Sequence, residues 1–185
     1  MHIEIEAKIK VDSLKEIVEK LDSLGAEFRQ EQLQRDTYFD NANTTLKKGD
    51  RCLRLRRLLA GESERFFLTY KGAKEKNQFK KRQEIEIKIE DGNSLEKLLL
   101  LLGYNKAIVF EKRRRTWQFG RCEVALDELP LLGTFVEIEG PDEQKIADVQ
   151  RKLGLSNLPI VSESYASLMD GKLRESGREE KEALL

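Results

Sequence analysis

The chain has 185 residues, 39% of them hydrophobic, which is enough for one domain with a sizeable core. Its 34 basic and 34 acidic residues cancel, which argues against a general nucleic-acid or anionic-membrane surface and leaves charge to be sorted locally. Cys52 and Cys122 are too few for a disulfide framework, no zinc-type spacing links them to His2, and no apolar leader precedes the first strand, so a cytoplasmic protein is expected.

The first element is a strand, IEIEAKI, in which Glu4, Glu6 and Lys8 share one face and Ile3, Ile5, Ala7 and Ile9 the other. A helix follows from Asp12 or Ser13, where Ser13 and Glu16 have capping-box spacing. It carries Leu14, Ile17, Val18, Leu21 and Leu24 at helical intervals and stops at Gly25. Strand candidates come next at 36–39, 52–58, 65–71 and 83–89. A second helix is expected from Asn93-Ser94 to Gly103, its five consecutive leucines implying burial on more than one side while being too few to span a bilayer. Further strands are expected at 108–117, 121–126 and 135–139, and a third helix after Gly140-Pro141 presents Ile146, Val149 and Leu153 before Gly154. Composition turns polar near Leu173, ending in Arg178, Glu179, Glu180 and Lys181. The expected organisation is one domain over 1–170 with a polar tail over 171–185 that is a frayed helix or disordered. So many strands invite closure into a barrel.

Three segments share a layout of a Glu-x-Glu strand, a short helix and a Leu-Gly stop: Glu4/Glu6 with Leu24-Gly25, Glu84/Glu86 with Leu102-Gly103, and Glu137/Glu139 with Leu153-Gly154. Glu-x-Glu occurs five times, against about three expected from glutamate frequency alone, so spacing by itself is weak evidence. The pairs at 62/64 and 180/182 lie in a loop-like stretch and in the tail and read as solvated charge. The other three alternate with apolar residues, and for each strand taken singly the bland reading is the wet face of an antiparallel sheet. Basic strands alternate in the same way: Arg54 and Arg56 flank Leu55, Lys112 and Arg114 follow Phe110, and Lys71 follows Tyr70. Strands sorted by sign, some mainly carboxylate and some mainly cationic, are what a tunnel holding metal ions and a phosphate chain would require. Carboxylates suit Mg²⁺ or Mn²⁺, and Arg and Lys suit phosphoryl oxygens. Tyr38 and Trp117 read as packing residues by default, and Arg113 and Arg115 as outward and solvated.

The ordered series Glu4-x-Glu6-x-Lys8, Asp36-Thr37-Tyr38-Phe39, Leu53-Arg54-Leu55-Arg56, Thr69-Tyr70-Lys71-Gly72, Arg82-x-Glu84-x-Glu86, Lys112-x-Arg114, Leu126-Asp127 and Leu132-Gly133-x-Phe135-Val136-Glu137-Ile138-Glu139 resembles the CYTH superfamily. Its members are class IV adenylate cyclases, thiamine triphosphatases and other triphosphate tunnel metalloenzymes. The resemblance implies an α+β fold with an antiparallel eight-stranded β-barrel, helices packed outside, and Mg²⁺ or Mn²⁺ as cofactor. It implies Glu4, Glu6, Glu84, Glu86, Asp127, Glu137 and Glu139 on the metal side. Lys8, Arg54, Arg56, Lys71, Arg82, Lys112 and Arg114 are implied as phosphate holders, and Lys8 and Tyr38 as candidates for handling the nucleophile. Ser164, Tyr165 and Leu168 resemble the family's C-terminal helix, which would cap one tunnel mouth. The implied substrate is ATP, thiamine triphosphate or inorganic triphosphate, and the implied reaction cyclisation to cyclic AMP or hydrolysis. A non-catalytic polyphosphate- or nucleotide-binding module is the alternative from another class. No membrane partner is expected, nothing marks an extended nucleic-acid groove, and a homodimer is compatible with the sequence.

Overall fold

The fold is described from a computed structural model covering residues 2–61, 63–74, 80–177 and 181–185. The Glu62/Glu64 and Glu180/Glu182 pairs, together with Arg178 and Glu179, therefore fall partly or wholly outside the described residues. Eight strands form the frame: β1 (His2–Val11), β2 (Glu27–Asn41), β3 (Cys52–Ala60), β4 (Ser63–Lys71), β5 (Lys80–Ile89), β6 (Tyr104–Phe119), β7 (Cys122–Leu129) and β8 (Gly133–Glu139). They pair antiparallel in the order β2-β3-β4-β5-β1-β8-β7-β6, and β6 pairs back onto β2, so the sheet closes into a barrel. Closure removes the exposed edges that an open sheet of this size would carry.

Helices α1 (Lys15–Ser23), α2 (Thr45–Lys48), α3 (Gly92–Leu101), α4 (Glu143–Leu153) and α5 (Tyr165–Glu175) lie outside the barrel, and a two-residue strand β9 (Glu182–Ala183) pairs parallel with β6. The main core is between helices and barrel wall. Ile17 and Leu21 of α1 and Ile146, Val149 and Leu153 of α4 pack on Ala7, Ile9, Val124, Leu126, Val136 and Ile138, whose side chains leave the barrel by strand alternation. Each fully buried Leu or Ile there contributes about 1.5–3 kcal/mol. Trp117 joins this core, edge-on to Phe28 with ring centroids 5.0 Å apart. Helix α5 packs Tyr165, Met169 and Leu173 on Ile108, Phe110 and Phe135. Among the described residues no helix is long and apolar enough to cross a membrane.

The three Leu-Gly stops each follow a helix, with Gly25, Gly103 and Gly154 at φ of 72°, 88° and 73°, the left-handed conformation that glycine adopts without a Cβ penalty. Four expectations change. The Ser13/Glu16 capping box does not form: Leu14 is the N-cap of α1 and supplies no side-chain cap. The leucine run is not buried on several sides, since Leu99 is buried while Leu98, Leu100, Leu101 and Leu102 are exposed. Strand β2 begins at Glu27, nine residues before the expected start at 36, for reasons taken up in the Discussion. Helix α5 passes through the expected boundary at residue 170 and runs to Glu175, and Ala183 beyond it is buried against β6, so the described part of the tail is not a loose end.

Candidate active site

Alternation that sends apolar side chains out to the helices sends their polar neighbours into the barrel. The result is a cavity of about 950 Å³ lined by Glu4, Glu6, Lys8, Tyr38, Arg54, Arg56, Lys71, Arg82, Glu84, Glu86, Lys112, Arg114, Glu137 and Glu139. Thus every expected site residue but one lines a single tunnel. The exception is Asp127, which is fully buried beneath Arg114.

Strand register explains the sorting. On one side β1, β8 and β7 bring Glu6 beside Glu139 and Glu139 beside Glu123. On the other, β2, β3 and β6 bring Asp36 beside Arg56, and Gln32 beside Arg114. Arg56 grips Asp36 with two hydrogen bonds, Nε to Oδ1 at 2.6 Å and Nη2 to Oδ2 at 2.7 Å. Arg114 does the same to Asp127, Nε donating to Oδ1 at 2.6 Å, and also contacts Glu137. Such bidentate pairs fix the guanidinium plane of two residues that line the tunnel. Lys112 stands 3.3 Å from Asp127, and Lys71 donates to Glu4 at 2.6 Å and pairs with Glu84 at 2.7 Å. Arg54 donates to Thr69 at 3.0 Å, which donates in turn to Glu86 at 3.0 Å. Glu4, Glu84, Glu86 and Asp127 are therefore each engaged by a basic side chain or a hydroxyl.

Lys8 is 2% exposed. Its Nζ donates to the Glu163 carbonyl at 2.9 Å, lies 3.4 Å from Glu137, and sits 3.9 Å from the centre of the Tyr165 ring. Tyr165 opens α5, so the first turn of that helix and the Glu163-Ser164 segment reach the tunnel wall, as does Asp170, which is salt-bridged to Lys47 of α2 at 2.7 Å. Of the expected C-terminal helix residues, Ser164 caps the helix and Tyr165 lines the tunnel, while Leu168 packs behind them. Tyr38 lines the cavity and stacks on Phe110 with centroids 5.7 Å apart.

The electrostatics follow from this packing. Burial pushes the Asp36 carboxyl up, but Arg56 and Arg54 outweigh it and hold the group well below the usual carboxylate range. Burial, then the Asp36 charge, pushes the Tyr38 hydroxyl up, so it remains a hydrogen-bond donor at neutral pH. Burial, then the neighbouring Arg114 charge, lowers Lys112 to about 7. Glu139 is pushed up to about 7 by burial and then by Glu4, Glu6 and Glu123. That value marks the burial of Glu139 and the crowding of acids around it.

A pH prediction follows with a definite sign. A carboxyl whose folded-state pKa lies above its ordinary 4.5 binds its proton more tightly in the folded chain, so its contribution to stability is present at low pH and is lost as pH rises from about 4.5 to about 7. Metal-free wild type is therefore expected to lose stability across that window relative to Glu139→Gln in urea denaturation. An unchanged difference across the window would contradict the crowding.

Sequence reasoning passed over several lining residues, among them Glu123, Gln32 and Gln34. Glu123 faces inward beside Glu139, and Gln32 and Gln34 line a smaller cavity that adjoins the tunnel. Alternation along β7 puts Glu123 on the face of Ala125 and Asp127, which was the available signal; the glutamines carried no charge to draw notice. Among the described residues no three acidic, His or Cys side chains converge on one point as a finished metal site. The donor chemistry nonetheless suits a hard divalent ion, since Glu6, Glu137, Glu139 and Glu123 offer only oxygen and crowd around Glu139, whose carboxyl is pushed up.

Comparison with known proteins agrees with this geometry. The CYTH domain profile matches residues 2–165. A Methanocaldococcus jannaschii protein named "Putative adenylate cyclase MJ0240" is 32% identical over 179 residues, 90% of this chain and 98% of that protein. The solved structure of PH1819 from Pyrococcus horikoshii is 29% identical with a TM-score of 0.79, over 91% of this chain and 99% of that one. HpAC1 from Hippeastrum shares the fold at 16% identity and a TM-score of 0.67, over 96% of this chain and 97% of that one.

Proposed function

Because the chain belongs to the CYTH domain family, we propose that it is a divalent-metal-dependent enzyme that acts on the triphosphate group of a nucleotide or other triphosphate inside its tunnel. The observation that carries this reading is the meeting of both signs in one tunnel, with Arg54, Arg56, Lys112 and Arg114 on β3 and β6, Glu6, Glu123, Glu137 and Glu139 on β1, β7 and β8, and Lys8 and Arg114 reaching Glu137. A site for anions alone would gain nothing from the carboxylates.

In this reading the basic side chains hold the phosphate chain extended. Arg56 and Arg114, pinned by Asp36 and Asp127, present oriented N–H donors to phosphoryl oxygens, and Arg54, Lys112, Lys71, Arg82 and Lys8 add charge around them. Glu6, Glu137 and Glu139, with Glu123 beside them, are the residues to hold Mg²⁺ or Mn²⁺. The ion, when bound, offsets the charge that develops as a P–O bond breaks. Glu4, Glu84, Glu86 and Asp127, which the family resemblance puts on the metal side, serve here as partners that position the phosphate-holding cations. Tyr38 donates a hydrogen bond and does not act as a base, because its hydroxyl keeps its proton.

Hydrolysis and cyclisation need the same grip and differ in which oxygen stands in line with which phosphorus. The name of the M. jannaschii relative favours cyclisation of ATP to cyclic AMP and pyrophosphate, while HpAC1, of the same fold, is described as having a dominant triphosphatase activity. Metal-dependent cleavage is the shared core. Incubation of the protein with ATP, thiamine triphosphate or inorganic triphosphate, each with Mg²⁺ or Mn²⁺, followed by chromatography, tests it. Cyclic AMP with pyrophosphate identifies the cyclase and release of orthophosphate the hydrolase; no product from any substrate with either ion would overturn the proposal.

The basic wall carries its own prediction. Arg54→Ala and Arg56→Ala are expected to weaken calorimetric binding of inorganic triphosphate by about tenfold or more. Arg113→Ala should change it little, since that side chain is 52% exposed and lies between Glu31 and Glu128 outside the barrel. Equal, small effects at all three positions would favour the wet face of a sheet over the tunnel.

A further inference from the structure

Next to Arg56 and Arg114 a row of neutral polar side chains joins the charged lining. A second cavity of about 180 Å³ lies there, walled by Gln30, Gln32, Gln34 and Thr116, with Leu58 and Phe67 as apolar flanks. Arg56, Glu86, Arg114 and Glu123 line both cavities, so the two adjoin. Register sets the neutral row directly beside the basic one: Gln34 of β2 opposes Lys112 of β6, Gln32 opposes Arg114, and Gln30 opposes Thr116.

Gln32 and Gln34 are 6% and 2% exposed, yet the Oε1 atom of each is buried with no hydrogen-bond partner among the described residues. Buried carbonyl oxygens are nearly always paired, because leaving one without a donor is costly. Two adjacent orphans on one strand face, both lining a cavity, mark a place for donors that the protein itself does not supply. Phosphoryl oxygens do not meet that need, since at neutral pH they bring acceptors. They belong with the guanidinium groups next door.

We propose that Gln32 and Gln34 form a neutral subsite that takes an O–H or N–H donor immediately beyond the phosphate grip of Arg56 and Arg114. The inference rests on the triphosphate reading above and deepens it by assigning the far end of the tunnel. Two sources supply such donors. One is water, for which the cavity has room for about six molecules. The other is an amino or hydroxyl group on the organic part of the substrate, with Leu58 and Phe67 flanking it. In the first case a water held by the carboxamides is the nucleophile: its oxygen bonds to the terminal phosphorus, the bond to the bridging oxygen breaks with its electron pair leaving on the diphosphate, and the proton passes out through the remaining waters.

Gln32→Met and Gln34→Met test the subsite, since methionine keeps the length of the side chain and removes the orphaned oxygen. Both variants are expected to keep or raise the melting temperature, because a purely structural pair would lower it when removed. If water is the occupant, kcat for inorganic triphosphate falls by about tenfold or more while KM stays within about twofold. If the organic part is the occupant, KM for ATP rises by about tenfold and inorganic triphosphate is unaffected. Parameters within about twofold of wild type for both substrates in both variants would overturn the subsite. A crystal structure of wild type with inorganic triphosphate or ATP gives a readout independent of turnover, so it still decides if the wild type cleaves neither and the enzymatic reading fails. A water or organic donor within hydrogen-bond reach of both carboxamide oxygens supports the subsite, and a phosphoryl oxygen there, or no occupant at all, overturns it.

Discussion

Glu6→Gln and Glu139→Gln are each expected to lower triphosphate cleavage by about a hundredfold or more while leaving the fold intact. Both side chains reach into the tunnel from adjacent strands, paired across β1 and β8, and neither belongs to the helix-packed core. The substitution keeps the shape and removes the negative charge, so a loss of activity without a loss of stability isolates the role of that charge. For Glu139 the fold should if anything gain above about pH 7, where the wild-type carboxyl must ionise among Glu4, Glu6 and Glu123. Cleavage rates under saturating Mg²⁺ or Mn²⁺, measured beside urea denaturation midpoints, separate the two effects. Full activity in both variants would remove the acidic wall from the mechanism.

Asp127→Ala should behave in the opposite way, with a stability loss of about 3–5 kcal/mol ahead of any measurement of activity. Asp127 is fully buried, takes two hydrogen bonds from Arg114 and stands 3.3 Å from Lys112. Removing it takes the carboxylate partner from Lys112 and leaves Arg114 with Glu137 alone. Burial, opposed and outweighed by Arg114 and then Lys112, gives its carboxyl a lowered pKa, as expected of a group held ionised by its partners. Denaturation of the variant by urea measures the loss. A variant of normal stability that had lost only metal-dependent activity would return Asp127 to the metal side, where the family resemblance puts it.

Much of the site was legible because period-2 alternation survives in the strands that carry helices outside. In β1, β3, β7 and β8 an apolar side chain points to the helix layer and its neighbour into the tunnel, so reading one face off the sequence identified the other. Strand β2 broke the signal. Between Glu27 and Asp36 its inward positions are Gln30, Gln32 and Gln34, and its outward positions include Glu31, which pairs with Arg113, and Arg35, which pairs with Glu111 and Glu182. Both faces are polar, and without an apolar row nothing distinguished this stretch from a loop. Those same residues form the neutral end of the tunnel, so the segment that the pattern missed is one with a proposed role.

Depth was the other quantity the pattern could not supply. Alternation puts Asp127 and Glu123 on the same face of β7, yet one is fully buried beneath Arg114 and the other is exposed beside Glu139. The difference comes from register with β6, where Asp127 opposes Arg114, and cross-strand register is set by partners far away in the chain. The leucine run failed for a related reason. Five apolar residues in succession cover every side of a helix, but α3 meets the barrel on one side, and only Leu99 of that run is buried.

The central claim, that the tunnel cleaves triphosphates with a divalent ion held by its acidic wall, is tested most directly by phosphate and pyrophosphate release from ATP and inorganic triphosphate, with Mn²⁺ and with a chelator in its place. Cleavage of at least one substrate that requires the ion, is abolished by the chelator and is reduced about a hundredfold in Glu139→Gln is the predicted result. Cleavage that proceeds equally in the chelator and in Glu139→Gln would contradict it.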